Sequence, residues 1–219
     1  MITALEYQQK RKDRVNVYLD GDFGLALAES VVQEAGLRRG MPLDSADVQR
    51  LLNLDGARRA YDAALGFLSY RPRSEAEIRR NLERKRFPPE RIEEVLVRLR
   101  RTGLVDDAAF ARYWVENRDA FSPRGGRALR AELRQKGIGD EEARTVLEDG
   151  RDEVAGAYAA GERKARQLKG LDRRTFRQRL GAFLARRGFS YDSISPAVDR
   201  LYAEVGGSVS PDDEDEAGP

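Results

Sequence analysis

Asp106 and Asp107 are a pair whose types and spacing could do chemistry. Two adjacent carboxylates can hold a metal or share acid–base work. Here no second acidic cluster is spaced to complete such a site. The pair reads instead as the cap of a helix starting at Ala108, where the helix dipole favours negative charge. The 219 residues contain no Cys and no His, which removes thiolate chemistry, disulfides, Cys/His zinc sites and His-dependent triads. Gly125-Gly126, between Arg124 and Arg127, could cradle a phosphate at a helix N-terminus. It matches neither the P-loop nor the dinucleotide fingerprint, and a plain turn is the other reading. Nothing in the sequence calls for a cofactor or metal, and the reading is of a protein that is not an enzyme.

The basic residues are the stronger signal. Arg127, Arg130 and Arg134 fall at i, i+3, i+7, away from the apolar Leu129 and Leu133. Residues 163–187 hold ten Lys and Arg, including Arg173, Arg174, Arg177, Arg186 and Arg187, against one acid, Asp172. A solvated helix face usually mixes signs, so these stretches are expected to meet an acidic or nucleic-acid surface. Lys85, Lys136 and Arg187 each end a helix, where a cation also offsets the dipole. Tyr113 and Trp114 could stack on bases, but with Phe110 at helical spacing they read as core. Five of the 38 acids lie in 206–219, so residues 1–205 carry all 40 basic groups against 33 acidic ones, a net +7. That acidic tail follows Gly206-Gly207-Ser208 and is expected to be disordered.

These residues must be positioned by helices, and the helices repeat. A 51-residue step carries Ile78 to Leu129 to Leu180, Leu82 to Leu133 to Leu184, and Phe87 to Ile138 to Phe189. It also carries Ile92 to Ala143 to Ile194, and Leu96 to Leu147 to Val198. The fold class is therefore mainly α: a tandem array of three three-helix repeats, roughly 57–103, 104–149 and 150–205. The first helix of each does not keep the step. Each helix has one apolar stripe and needs neighbours to cover it. Ahead of the array, strands are expected near 2–8, 14–19 and 22–27, with Asp20-Gly21 as a hairpin turn. Helices follow near 28–36 and from Asp44 or Ser45, and Gly56 closes this 1–56 module. It is too short for a core of its own and should dock on the first repeat. No apolar run approaches a membrane span, and MITALEYQQKRKDR lacks a leader's apolar core. A soluble cytoplasmic protein, a monomer without membrane contact, is expected.

Three segments, RPRSEAEIRRNLERKRF (71–87), GLVDDAAFARYWVENR (103–118) and SPRGGRALRAELRQKGI (122–138), resemble the regulatory protein RecX family in order and spacing. The resemblance covers 57–205, and the N-terminal module looks like the β-hairpin extension of some members. It implies a non-catalytic inhibitor of the RecA recombinase, lying in the groove of the RecA–DNA filament and hindering growth, ATP hydrolysis and strand exchange. Binding is then expected from Arg124, Arg127, Arg130, Arg134, Lys136, Arg173, Arg174, Arg177, Arg186 and Arg187. The alternative is a sequence-nonspecific binder of single- or double-stranded DNA acting independently of RecA. The basic residues suit backbone contact, and no helix gathers the Asn/Gln/Arg set that base readout prefers.

Overall fold

Strands form where β-branched and aromatic residues alternate, and here that pattern is confined to the first 28 residues. A computed structural model describes residues 1–205. Strands β1 (Ile2–Tyr7), β2 (Arg14–Leu19) and β3 (Asp22–Ala28) form an antiparallel sheet in the order β1-β2-β3. The β2–β3 turn uses Asp20 (φ 51°) and Gly21 (φ 99°), the left-handed pair that matches the strand twist. One sheet face buries Ile2, Val17, Leu25 and Leu27 against Val31 of helix α1 (Glu29–Glu34), Leu37 and Leu51. The module therefore has an apolar core after all, because a long helix reaches into it and supplies Leu51.

That helix is α2 (Ser45–Leu68), capped by Asp44, whose side chain accepts from Asp47 N at 2.7 Å. It runs without a break through Gly56, which the sequence reading had made the boundary between module and first repeat. A helical glycine costs about 1 kcal/mol relative to alanine. Burial on both sides outweighs this: Leu51 belongs to the sheet's core, while Ala60 and Ala64 belong to the first repeat's core.

Between these two cores sits a buried ion pair. Arg14 of β2 donates from Nη1 to both carboxylate oxygens of Asp55, at 2.7 and 2.9 Å. Arg14 also donates to Ala26 O at 2.6 Å, and Asp55 accepts from Ala28 N at 2.6 Å. The side chains are only 10% and 5% exposed. So the module is fixed to α2 by charge as well as by apolar contact.

The three repeats follow. The first is α2, α3 (Glu75–Arg84) and α4 (Pro89–Arg101). The second is α5 (Asp107–Phe121), α6 (Gly126–Gln135) and α7 (Asp140–Glu148). The third is α8 (Glu153–Gln167), α9 (Arg173–Arg186) and α10 (Tyr191–Glu204). Ile78, Leu129 and Leu180, and likewise Leu82, Leu133 and Leu184, are all 0% exposed, so the 51-residue step marks equivalent core positions. The step also fixes the turn after the second helix. Arg86, Gly137 and Gly188 all take positive φ (63°, 87°, 88°), and Pro88, Gly139 and Ser190 are the next N-caps.

Each repeat buries its own apolar cluster: Ile78, Leu82 and Leu96 in the first, Phe110, Leu129 and Leu133 in the second, Phe176, Leu180 and Leu184 in the third. Three helices thus suffice to cover one another's stripes. The chain divides into two compact units, Met1–Val105 and a second beginning at Asp106. No helix among the described residues is long and apolar enough to cross a membrane. The acidic stretch 206–219 lies outside the described residues.

Candidate functional site

The second unit contains all ten of the residues expected to bind, and their neighbours decide which of them are available. Asp106 caps α5, accepting from Ala109 N at 2.9 Å, so the Asp106–Asp107 pair is a helix start. Among the described residues no group of three or more Asp or Glu is arranged to hold a metal.

Gly125 and Gly126 open α6, as a phosphate cradle would, but the place is taken by the protein itself. Gly126 N donates to Glu153 Oε1 at 2.6 Å. The helix end that attracts anions holds a carboxylate from the third repeat. Gly125 serves a second purpose. Its N–H donates to Arg187 O at 3.1 Å, and a Cβ there would collide with the backbone of Gly188 and Phe189. The glycine pair is therefore a joint between the second and third repeats.

The rest of the joint is polar and closed. Glu153 Oε2 accepts from the hydroxyls of Ser190 (2.9 Å) and Ser193 (3.2 Å) at the start of α10. Arg151 grips Asp119 with two bonds, at 2.8 and 2.9 Å, and also donates to Arg124 O. Burial pushes the Glu153 carboxyl up. The donors at Gly126, Ser190 and Ser193 and the Arg151 charge outweigh it and hold the pKa below the ordinary 4.5. A carboxylate with a depressed folded-state pKa stabilises above its unfolded value, and the contribution is lost as pH falls through the folded value. We expect Glu153→Gln to melt below the wild type at pH 7. That difference should shrink steadily below pH 4.5.

This joint sets α6 beside the end of α9. Arg127 Nη2 donates to Ala185 O at 2.9 Å, placing a cation on the negative end of α9. The start of the Arg127, Arg130 and Arg134 stripe, separate in sequence from the Arg186–Arg187 pair, is thereby joined to the turn that carries that pair. Arg130, Arg134, Arg174 and Arg186 are exposed, with no side-chain ion pair or hydrogen bond among the described residues. Arg187 lies over the Phe183 ring at 4.8 Å.

The other expected binding residues are engaged internally. Arg124 pairs with Glu132, Nε to Oε1 at 3.1 Å. Glu132 also accepts from Trp114 Nε1 (2.9 Å) and Arg118 Nε (2.8 Å). Lys136 sits over the Trp114 ring at 4.5 Å. Trp114 is thus neither full core nor open platform: it packs on the second repeat's core and carries cations on its outer face. Arg177 binds Asp199 and Ser195, and Arg173 lies 3.5 Å from Asp199. These two hold α9 to α10, so reversing their charge would disturb the fold as well as any partner. The sequence reading also passed over exposed aromatics: Phe121 at the end of α5 is 82% exposed and Tyr191 at the start of α10 is 77% exposed. Spacing gave no signal of their exposure, since Phe121 falls at i+7 from Trp114 and Tyr191 three residues before Ile194, in line with the apolar stripes.

Comparison with known proteins matches this arrangement piece by piece. Residues 1–44 match the regulatory protein RecX N-terminal domain. Residues 60–99, 106–147 and 151–198 match the first, second and third RecX three-helix domains. The regulatory protein RecX of Bacillus subtilis strain 168 is 32% identical over 93% of this chain and 78% of its own length. That of Limosilactobacillus reuteri is 34% identical over 87% and 74%. A crystal structure of regulatory protein RecX superposes with a TM-score of 0.69 at 31% identity, covering 90% of this chain and 98% of that one. A RecX from Lactobacillus salivarius gives 0.62 at 26% identity over 68% and 99%. A sheet module followed by three three-helix repeats in this order, with these relatives along nearly its whole length, places the chain in the RecX family of regulatory proteins.

Proposed function

We propose that this protein inhibits the RecA recombinase by binding in the groove of the RecA–DNA filament, where it hinders filament growth, ATP hydrolysis and strand exchange. Its setting is then the cytoplasm, and its processes DNA repair and recombination. The observation that carries the reading is the unneutralised basic surface of α6 and the end of α9 in a chain of this family. Arg130 and Arg134 are like charges four residues apart, a mildly unfavourable arrangement for an isolated helix. A polyanionic groove turns that arrangement into attraction. Arg127, Arg186 and Arg187 extend the surface, and Arg174 adds an exposed cation at the start of α9. Arg124, Lys136, Arg173 and Arg177 support it by holding the helices that carry it.

The test is RecA ATPase on single-stranded DNA with increasing amounts of this protein. Inhibition is expected well below equimolar protein. Arg130→Glu with Arg134→Glu should leave the melting temperature within about 1 °C, as surface changes usually do. It should weaken inhibition by about tenfold, because two attractive contacts become repulsive. Unchanged ATP hydrolysis at equimolar wild-type protein would reject the proposal. A second reading, nonspecific DNA binding independent of RecA, is favoured by the same unpaired arginines. Equal loss on naked single-stranded DNA and on the filament would select it.

A further inference from the structure

The three repeats differ at one turn, and the difference points to a partner for the first unit. Lys85, Lys136 and Arg187 are equivalent C-cap residues. Lys136 is seated over Trp114 and Arg187 over Phe183. Lys85 has no such ring. It lines an open recess of about 340 Å³, together with Arg11 from the β1–β2 turn, Arg59 of α2, and Phe87. Asp13 and Asp62 also line the recess, paired with Arg11 (3.3 Å) and Arg58 (3.0 Å) respectively. Arg59 and Lys85 are exposed and without ion pairs among the described residues, as are Arg84 and Arg86 beside them. Lys10 and Lys12, flanking Arg11, add two more exposed cations.

Arg86 supplies the second observation. It takes φ 63°, where the sister repeats place Gly137 and Gly188. An L-residue in the left-handed region costs about 1–2 kcal/mol, and glycine would not. The other non-glycine residue with positive φ, Asp20, sits in a hairpin turn that requires it. The turn that closes α3 likewise requires positive φ at 86, Phe87 N donating to Leu82 O and Arg86 N to Glu83 O, but glycine is the residue that meets it without cost. Strain of this kind is held by the surrounding structure and clusters at functional sites. Here the side chain adds a third successive cation to Arg84 and Lys85, on a turn that solvent reaches.

We propose that the recess lined by Arg11, Arg59 and Lys85, with Arg86 next to Lys85 in the chain, is a docking site for the phosphate backbone of DNA, separate from the basic surface of the second unit. The recess is wide enough for a phosphate with its sugar. Arg59 and Lys85 meet it from α2 and the end of α3, and Arg86 adds an exposed cation next to Lys85. This goes beyond the RecA reading and does not depend on it, since naked DNA suffices to test it.

The experiment is fluorescence anisotropy of a labelled single-stranded oligonucleotide with the full chain across a salt series, with melting temperature as the fold control. Arg59→Gln with Lys85→Gln should weaken binding by about tenfold at low salt. It should also reduce the log–log salt slope by about 1.4, at about 0.7 per lost phosphate contact on a single strand. Arg86→Gly gives effects of opposite sign. Binding should weaken about threefold, while the melting temperature rises by about 2 °C as the strain is relieved. Wild-type affinity and slope in the double variant would overturn the proposal. So would Arg86→Gly that melts higher yet binds DNA as the wild type does. Loss on a RecA–DNA filament alone, with naked DNA unaffected, would assign the recess to an acidic protein surface and overturn the DNA assignment.

Discussion

Asp55→Ala should destabilise the first unit by about 3–5 kcal/mol, because it leaves Arg14 charged and buried without its partner. Arg14 is 10% exposed and gets two of its three strong bonds from Asp55. The substitution also removes the acceptor for Ala28 N at the end of β3. In a unit of this size a loss of this order lowers the melting temperature by roughly 15 °C or more. The double variant Arg14→Met with Asp55→Leu should recover most of that loss, since a buried pair replaced by apolar groups of similar volume is often neutral. The measurement is a thermal melt of the three proteins followed by circular dichroism. A single variant melting within 1 °C of the wild type, or a double variant no better than the single, would show that the pair does not join sheet to helix in this way.

Gly125→Ala is expected to have an effect of similar size in the second unit, for a steric reason. The added Cβ would meet the backbone of Gly188 and Phe189. Backbone cannot step aside as a side-chain tip can, so the cost should be about 3 kcal/mol, at the upper end for overpacking. The damage should be local. The second and third repeats have separate cores around Leu133 and Leu184, and these are untouched. The joint between them should open instead, releasing Glu153 from Gly126 and Arg127 from Ala185. Hydrogen exchange should therefore speed up at the start of α6 and the end of α9 while α10 stays protected. Gly126→Ala is the control, because a Cβ there meets only the end of the Glu153 side chain, at 3.4 Å. Equal exchange in both variants would show that close backbone approach is not what Gly125 provides.

The amino-acid sequence by itself determined the repeat. Leu82, Leu133 and Leu184 are legible as equivalent because an apolar residue at fixed spacing has one physical explanation, a buried face recurring once per unit. Caps were legible for the same reason of locality: Ser74, Asp106 and Asp172 each bond a backbone N–H three residues on, a contact that spacing along the chain specifies. The hairpin at Asp20-Gly21 belongs with them. Where the local signal misled, at Gly56, it was a propensity of about 1 kcal/mol set against burial on both sides of the residue.

Charge was not legible in this way. A list of arginines does not say which of them have partners, because partners come from distant segments. Arg177 is 22 residues from Asp199, Arg14 is 41 from Asp55, and Glu153 is 27 from the helix end whose anion place it fills. Only the tertiary structure sorted the cations into those that hold the fold and those that stay open, among them Arg130, Arg134, Arg59 and Lys85. Periodicity reports burial, which each residue carries along its own helix. Electrostatic neutralisation depends on what another part of the chain places within about 4 Å, and that is decided by packing.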